Sequence, residues 1–342
     1  KLELAAEYAL FLAKTLTLLL AFAVCLGTIA VFARKARSPH RGHLEVRDFS
    51  ARVRELGETL DIALAPAAAH KSIKRERRRL RKQSKQPDEG RRRIFVLDFH
   101  GALRASAVDR LREEITAALL RARSSDEIVV RLESGGGMVH AYGLAASQLD
   151  RIVKAGISLT VCVDKVAASG GYMMACVAGN ILAAPFAVLG SIGVMAQIPN
   201  VHRLLKRHDI DVELLTAGEY KRTLTVLGEN APAGREKFQR DLDATHELFK
   251  DHVAAHRPRL DIETIATGEV WFGTQALALG LVDRLATSDE YLNAQLATAD
   301  IYELSYITDK TLLERLGITV EMRLAQRLRS WWDGAREPQL PV

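Results

Sequence analysis

The sequence predicts an α/β fold in which a mostly parallel sheet is wrapped by helices. Two observations carry that reading. Apolar, β-prone runs at residues 93–99, 127–133 and 157–163 alternate with helical periodicity at 108–122 and 142–155. Strand, helix, strand, helix, strand at this spacing lays successive strands side by side in one direction. The second observation is that the glycine loop Ser134-Gly135-Gly136-Gly137 and the turn Ser169-Gly170-Gly171 each follow one of these strands. Ligands of such sheets bind beyond the carboxyl ends of the strands, so both segments face one crevice.

The elements follow in order. In 108–122 the apolar positions Leu111, Ile115, Ala118 and Leu119 share one helical face. Residues 172–198 contain no charge, which raises a membrane span, but Asn180, Pro185, Gly190, Ser191 and Gly193 break the run. Two buried pieces fit better: a helix to about Gly179, then a strand at 181–184 and the turn Gly190-Ser191-Ile192-Gly193. A strand is expected at 212–216 and a long helix at 235–256, with 268–276 and 279–283 closing the domain.

Outside this domain the chain changes character. Residues 15–33 carry no charge, long enough to cross a hydrocarbon core about 30 Å thick. The run ends in Arg34-Lys35-Ala36-Arg37 rather than a small-residue cleavage site, which marks an uncleaved anchor. The basic flank favours a cytoplasmic domain. Residues 44–64 space Val46, Phe49, Val53, Leu56, Leu60 and Leu64 as an amphipathic helix. The basic run 71–85 contains no aromatic residue to stack on a base, so it reads as a solvated linker or a patch for anionic lipid, not a nucleic-acid site. The net charge of +6 owes much to this segment. Residues 312–328 again alternate apolar and Arg positions before Trp331-Trp332, as a membrane-interface or subunit-packing helix would. The resulting organisation is an anchor at 1–36, an amphipathic helix and linker at 37–92, the α/β domain at 93–305 and a C-terminal helix and tail at 306–342.

Cys25, Cys162 and Cys176 have neither disulfide-framework nor metal-ligand spacing and read as buried thiols. His252 and His256 are four apart, but no Glu follows His252 in the HExxH manner, so no metal site and no cofactor are expected.

Ser169 is the candidate nucleophile, because a strand-to-helix turn exposes one hydroxyl beside unpaired backbone N–H groups. A serine needs a base. His140 and His202 are the nearest histidines in sequence, and neither has a singular setting. A lysine serves only when burial holds it neutral, which costs about 4.6 kcal/mol at pH 7 against an ordinary value of about 10.4. Lys221, after a predicted strand and a Gly turn, is one candidate; Lys165 is another, though it suits a solvent-facing turn.

Five pieces together, Glu133 to Gly137, Asp164 to Tyr172, Gly190 to Gly193, Gly218 to Lys221 and Gly280 to Asp283, resemble the signal peptide peptidase A / protease IV family. Residues 7–14 and 142–149 narrow the resemblance to its SohB-like inner-membrane branch. It implies a ClpP/crotonase-type fold and a Ser-Lys dyad with Ser169 as nucleophile and Lys221 as general base. It also implies Ser191 as the residue orienting the Lys221 amine, and the backbone N–H groups of Gly136 and Gly170 as the oxyanion hole. Gly135 stands where the family usually has proline, which loosens that loop. Apolar peptides as substrates, such as residual signal peptides or membrane-protein fragments, membrane lipid as a partner, a homo-oligomeric ring or dome and a bacterial inner-membrane location are implied in the same way. A crotonase-like acyl-CoA enzyme and a catalytically idle membrane scaffold are the rival functions.

Overall fold

The computed structural model describes residues 42–66 and 90–308, with isolated residues 12, 14–17, 19, 20, 70 and 75. The apolar run 15–33, the basic run 71–85 and the helix expected at 312–328 lie wholly or mostly outside the described residues. Among the described residues no helix is long and apolar enough to cross a membrane.

Among the described residues ten strands form one sheet: β1 (Gly42–Asp48), β2 (Arg92–Gly101), β3 (Glu127–Ser134), β4 (Ser158–Val163), β5 (Val166–Ala168), β6 (Asn180–Ala183), β7 (Val188–Gly190), β8 (Val270–Phe272), β9 (Arg284–Leu285) and β10 (Ala299–Thr308). The order along its main path is β1-β10-β2-β3-β4-β6-β9. From β10 to β9 every pairing on that path is parallel. Within the described segments 42–66 and 90–308 the helices are α1 (Phe49–Leu64), α2 (Val108–Leu119), α3 (Val139–Lys154), α4 (Gly170–Ala175), α5 (His202–Arg207), α6 (Pro232–His256), α7 (Ile262–Ile265), α8 (Gly273–Ala278) and α9 (Ser288–Gln295). The mixed α/β architecture with a mostly parallel sheet is thus the one the strand-helix alternation predicts.

The central strands carry buried apolar runs, Ile94–Leu97 in β2 and Ile128–Val130 in β3, because both their faces are covered there. In β2, Phe95, Leu97 and Phe99 join the core beneath α2, α3 and α4, while Ile94 and Val96 join a second cluster with Phe49 of α1 and Leu292 of α9. Period-2 alternation therefore sends adjacent residues into two different cores. Side-chain hydrogen bonds fasten the elements: the Asp164 carboxylate accepts from the N–H and hydroxyl of Ser288, capping the start of α9.

One feature of the sheet matters most for the site. β3 pairs with β4 over Glu127–Arg131, but its last residue Ser134 pairs with Ala167 of β5. The chain leaves β4, turns at Asp164 and Lys165, and resumes as a short strand on the far end of β3. β5 then pairs with β7, and β7 antiparallel with β8, so a second small tier branches from the main sheet.

Several expectations are corrected. Residues 44–48 are strand rather than helix, and α1 starts at Phe49, capped by the Asp48 side chain on the Ala51 N–H. No strand forms at 212–216; no neighbouring strand pairs with this stretch, and Leu214 and Leu215 are exposed. β5 intervenes between β4 and Ser169, and β10, unanticipated, inserts beside β2. The charge-free run 172–198 is divided among α4, β6 and β7, consistent with its reading as buried short elements.

Candidate active site

Ser169 occupies the residue between β5 and α4, with φ 51° and ψ −119°. A non-glycine residue at positive φ costs on the order of 1–3 kcal/mol and persists only where its surroundings enforce it. Two backbone bonds do so here. The Ser169 N–H donates to the Gly190 carbonyl at 2.8 Å, and the Ser169 carbonyl accepts from the Met173 N–H at 3.0 Å. The hydroxyl is thereby set on a sharp strand-to-helix turn, half-buried, at the start of a helix whose remaining residues are fully covered.

The glycine loop comes to this serine from β3. Gly136 has φ 89°, and a Cβ built on it would lie 2.7 Å from both the Ser169 Cβ and the Gly170 nitrogen. Only a residue without a side chain fits, and its absence leaves the Gly170 N–H open at the first turn of α4. Gly170 is required for a different reason: its Cβ would meet the Tyr142 ring at 2.4 Å. Tyr142, on α3, is fully buried and organises the loop. Its hydroxyl donates to the Ala102 carbonyl at 2.9 Å and lies 2.6 Å from the Ser134 Oγ. Burial raises the Tyr142 phenol above its ordinary value, the bond to Ser134 partly opposing the shift. Ser134 Oγ in turn accepts the Gly136 N–H at 3.1 Å. The Gly136 amide is therefore engaged within its own loop, whereas Gly170 presents the N–H beside the serine.

Ser191 reaches the same place by symmetry of register. Ala168 pairs with Gly190 across parallel β5 and β7, so the residues that follow, Ser169 and Ser191, leave adjacent strands together. Both have left-handed backbones, φ 51° and φ 50°. Neighbouring strands lie about 4.8 Å apart, which brings the two serine backbones to about that spacing. The Ser191 N–H is held by the Glu269 carbonyl at 2.6 Å.

Lys221 is not gathered in. It is exposed on an irregular stretch between α5 and α6, in a turn closed by its N–H on the Gly218 carbonyl at 3.2 Å. No side-chain hydrogen bond or ion pair joins it to Ser169 or Ser191 among the described residues. The stretch just beyond it is anchored instead: the Asn200 side chain donates to the Thr225 and Gly228 carbonyls, and Asn230 brackets Thr225 from the other side. Lys165 is a solvent-facing turn residue paired with Glu133 at 3.0 Å.

The family model described as Peptidase family S49 N-terminal matches residues 3–149, and that described as Peptidase family S49 matches residues 151–301. A probable protease SohB of Haemophilus influenzae is 48% identical over 326 residues, covering 92% of this chain and 92% of that protein. The chain belongs to peptidase family S49. Within it the chain is SohB-like: a probable protease SohB of Buchnera aphidicola is also 52% identical over 238 residues, covering 70% of this chain and 71% of that protein. A solved structure of the 1510-N membrane-bound stomatin-specific protease aligns over 68% of this chain and 98% of that one, with a TM-score of 0.40 and 14% identity. In this S49 protease the glycine loop falls in the first matched region, and Ser169, Ser191 and Lys221 fall in the second.

Among the histidines, exposed His140 and half-buried His202 make no side-chain hydrogen bond with Ser169 among the described residues. His246, which the sequence did not single out, lies with Nε2 3.2 Å from the Ile192 carbonyl, one residue past Ser191. Its i, i+3 and i+4 neighbours on α6 include no glycine turn or apolar run that would have marked it.

Proposed function

We propose that this S49 protease is a membrane-anchored serine endopeptidase with Ser169 as nucleophile and Lys221 as general base. The observation that carries the reading is the enforced positive φ of Ser169 at a strand-to-helix turn, with the open Gly170 N–H beside it. That combination suits attack on a carbonyl and stabilisation of the oxyanion that forms. Neutral Lys221 takes the Ser169 proton as the Ser169 Oγ bonds to the peptide carbonyl carbon. The tetrahedral intermediate collapses, the C–N bond breaks, and the proton passes from Lys221 to the leaving amine. Water then hydrolyses the acyl-enzyme by the same route.

Lys221 must leave solvent to do this. Its stretch joins α5 to α6 through an irregular path, and Met195, Leu214, Leu215, Val226 and Leu227 on that path and its approach are exposed. Closure of this apolar segment over Ser169, on substrate binding or against a second copy in a ring or dome, supplies the dry setting that a neutral lysine requires. Ser191, beside Ser169, then orients the amine. The Gly136 N–H joins Gly170 as a second oxyanion donor once it is released from Ser134. The same apolar surface favours apolar peptide substrates, such as residual signal peptides or membrane-protein fragments. A ClpP/crotonase-type classification accommodates the branched parallel sheet. The charge-free run 15–33 is the proposed inner-membrane anchor, with membrane lipid its partner and the protease domain on the cytoplasmic side.

The test is labelling by a fluorophosphonate together with cleavage of an apolar peptide. Both are lost in Ser169→Ala if Ser169 is the nucleophile; labelling that persists in that variant refutes it. Protease accessibility of the domain in spheroplasts, where only a periplasmic domain is cut, tests the membrane side.

A further inference from the structure

Seven residues beyond the nucleophile, roughly 10 Å along α4 and the turn that follows it, the chain builds a second cluster. Cys176, His252 and His256 each offer a ligand atom, and these atoms lie within 4.8 Å of one another. The thiol comes from the C-cap of α4 and the two imidazoles from one face of α6, so residues far apart in sequence converge. Cys176 is fully buried and both histidines are half-buried. A carboxylate stands beside this group on α3: Asp150 Oδ1 is 4.0 Å from His256 Nε2, while Asp150 Oδ2 pairs with Lys154 at 2.5 Å.

The donors are also held from behind. His256 Nδ1 is 2.8 Å from the His252 carbonyl, and a carbonyl only accepts, so Nδ1 carries the proton and Nε2 keeps its lone pair. The Met173 carbonyl accepts from both His252 Nε2 at 3.0 Å and the Cys176 thiol at 3.3 Å. A ring nitrogen anchored to a backbone carbonyl is how proteins orient metal-binding imidazoles. Simple packing accounts for a buried cysteine or for two neighbouring, mutually tilted histidines separately. It does not account for a thiol and two carbonyl-anchored imidazoles meeting at one point, with a carboxylate 4.0 Å from one of the imidazoles.

We infer that Cys176, His252 and His256, with Asp150 closing the fourth side, form a binding site for one zinc-class divalent cation. The donor set of one sulfur, two imidazole nitrogens and one carboxylate oxygen matches zinc rather than magnesium or calcium, which take oxygen. It is also balanced: a thiolate and a carboxylate neutralise the dication, as a half-buried site demands. On coordination the Cys176 thiol loses its proton to solvent and gives up the Met173 carbonyl, which His252 retains. Tetrahedral zinc spaces its donors about 3.5 Å apart, so the thiol and the two imidazoles draw together by about 1 Å at their widest, and the Asp150 carboxylate, outside that group, swings in from beside His256. The cation would clamp α6 and α3 to the end of the nucleophile's helix. It touches no reacting group, so the site does not rest on the proposed catalytic roles.

The experiment titrates the metal-stripped full-length protein with Co²⁺. One equivalent per chain is expected to bind with a thiolate-to-cobalt charge-transfer band and tetrahedral visible bands, and Zn²⁺ should displace it. Cys176→Ser should abolish the charge-transfer band, His256→Gln should weaken Co²⁺ binding about tenfold or more, and Cys25→Ser should change neither. Absence of the band in the unsubstituted chain, or its survival in Cys176→Ser, overturns the site. Should Cys176→Ser fail to fold by circular dichroism, His256→Gln decides, and undiminished Co²⁺ affinity in that folded variant overturns it.

Discussion

Gly136 and Ser169 are packed so closely that a single methyl on Gly136 would lie 2.7 Å from the Ser169 Cβ. The contact joins the end of β3 to the turn after β5, two segments that the branching of the sheet brings to one point. It also keeps the Gly170 N–H uncovered.

Gly136→Ala should therefore inactivate the enzyme without unfolding it. The methyl would sit 2.7 Å from the Gly170 nitrogen and 2.9 Å from the Ala168 carbonyl, at a φ of 89° that costs alanine further strain. Peptide cleavage is expected to fall about 10²-fold or more. Gly135→Ala, with no atom within 4 Å of its Cβ, should retain most activity. Equal activity in the two variants would show that the loop does not border the reacting centre.

The base is tested by a lysine and a histidine variant together. Lys221→Ala should lower the cleavage rate about 10²- to 10⁴-fold, while His246→Gln should stay within a few-fold of the parent chain. The reverse pattern would transfer the base to His246, which approaches the Ile192 carbonyl beside Ser191. Lys165→Ala breaks only an exposed pair with Glu133 and should leave the rate unchanged.

Tyr142→Phe removes one hydroxyl from beneath the glycine loop. It removes a partner from the Ala102 carbonyl, on an exposed residue, and from one side of the buried Ser134 Oγ. The urea midpoint should fall by an amount worth about 1–3 kcal/mol with an unchanged slope. A midpoint equal to that of the parent would mean that water replaces the hydroxyl.

Two buried carboxyls should give acid unfolding opposing contributions. Burial pushes Asp126 up, but hydrogen bonds from the Arg93 side chain and the Arg93 and Arg123 N–H groups outweigh it, leaving the group below its ordinary value. A depressed carboxyl stabilises the fold above its unfolded-state value, and that contribution is lost as pH falls through the folded one. Glu114 is raised, by burial first, against the Tyr306 N–H and Arg110. Its charge costs stability at neutral pH, and the cost disappears as pH falls through its raised value. Asp126→Asn should accordingly lower stability at pH 7 and flatten the loss below pH 4. Glu114→Gln, which keeps an acceptor for the Tyr306 N–H, should raise stability at pH 7. Urea midpoints measured from pH 7 down to pH 2 check both signs, and a neutral-pH loss in Glu114→Gln would contradict the second.

The sequence by itself determined the alternation of strands and helices, because long periodic runs such as 93–99, 127–133 and 235–256 encode their partners' faces locally. It also marked Ser169, since glycines after a strand signal a turn whatever packs around it. The tertiary structure decided what such local signals do not contain. It decided that β3 serves two strands in succession, so that Ser169 follows β5 and not β4, because a three-residue strand acquires meaning only from its ladder. It decided that residues 212–216, β-prone in composition, have no partner and form no strand. It exposed Lys221, whose fitness as a base depends on a desolvation that no spacing records. It also assembled Cys176 with His252 and His256, a cluster invisible to motif spacing because its ligands meet only where the end of α4 packs on α6.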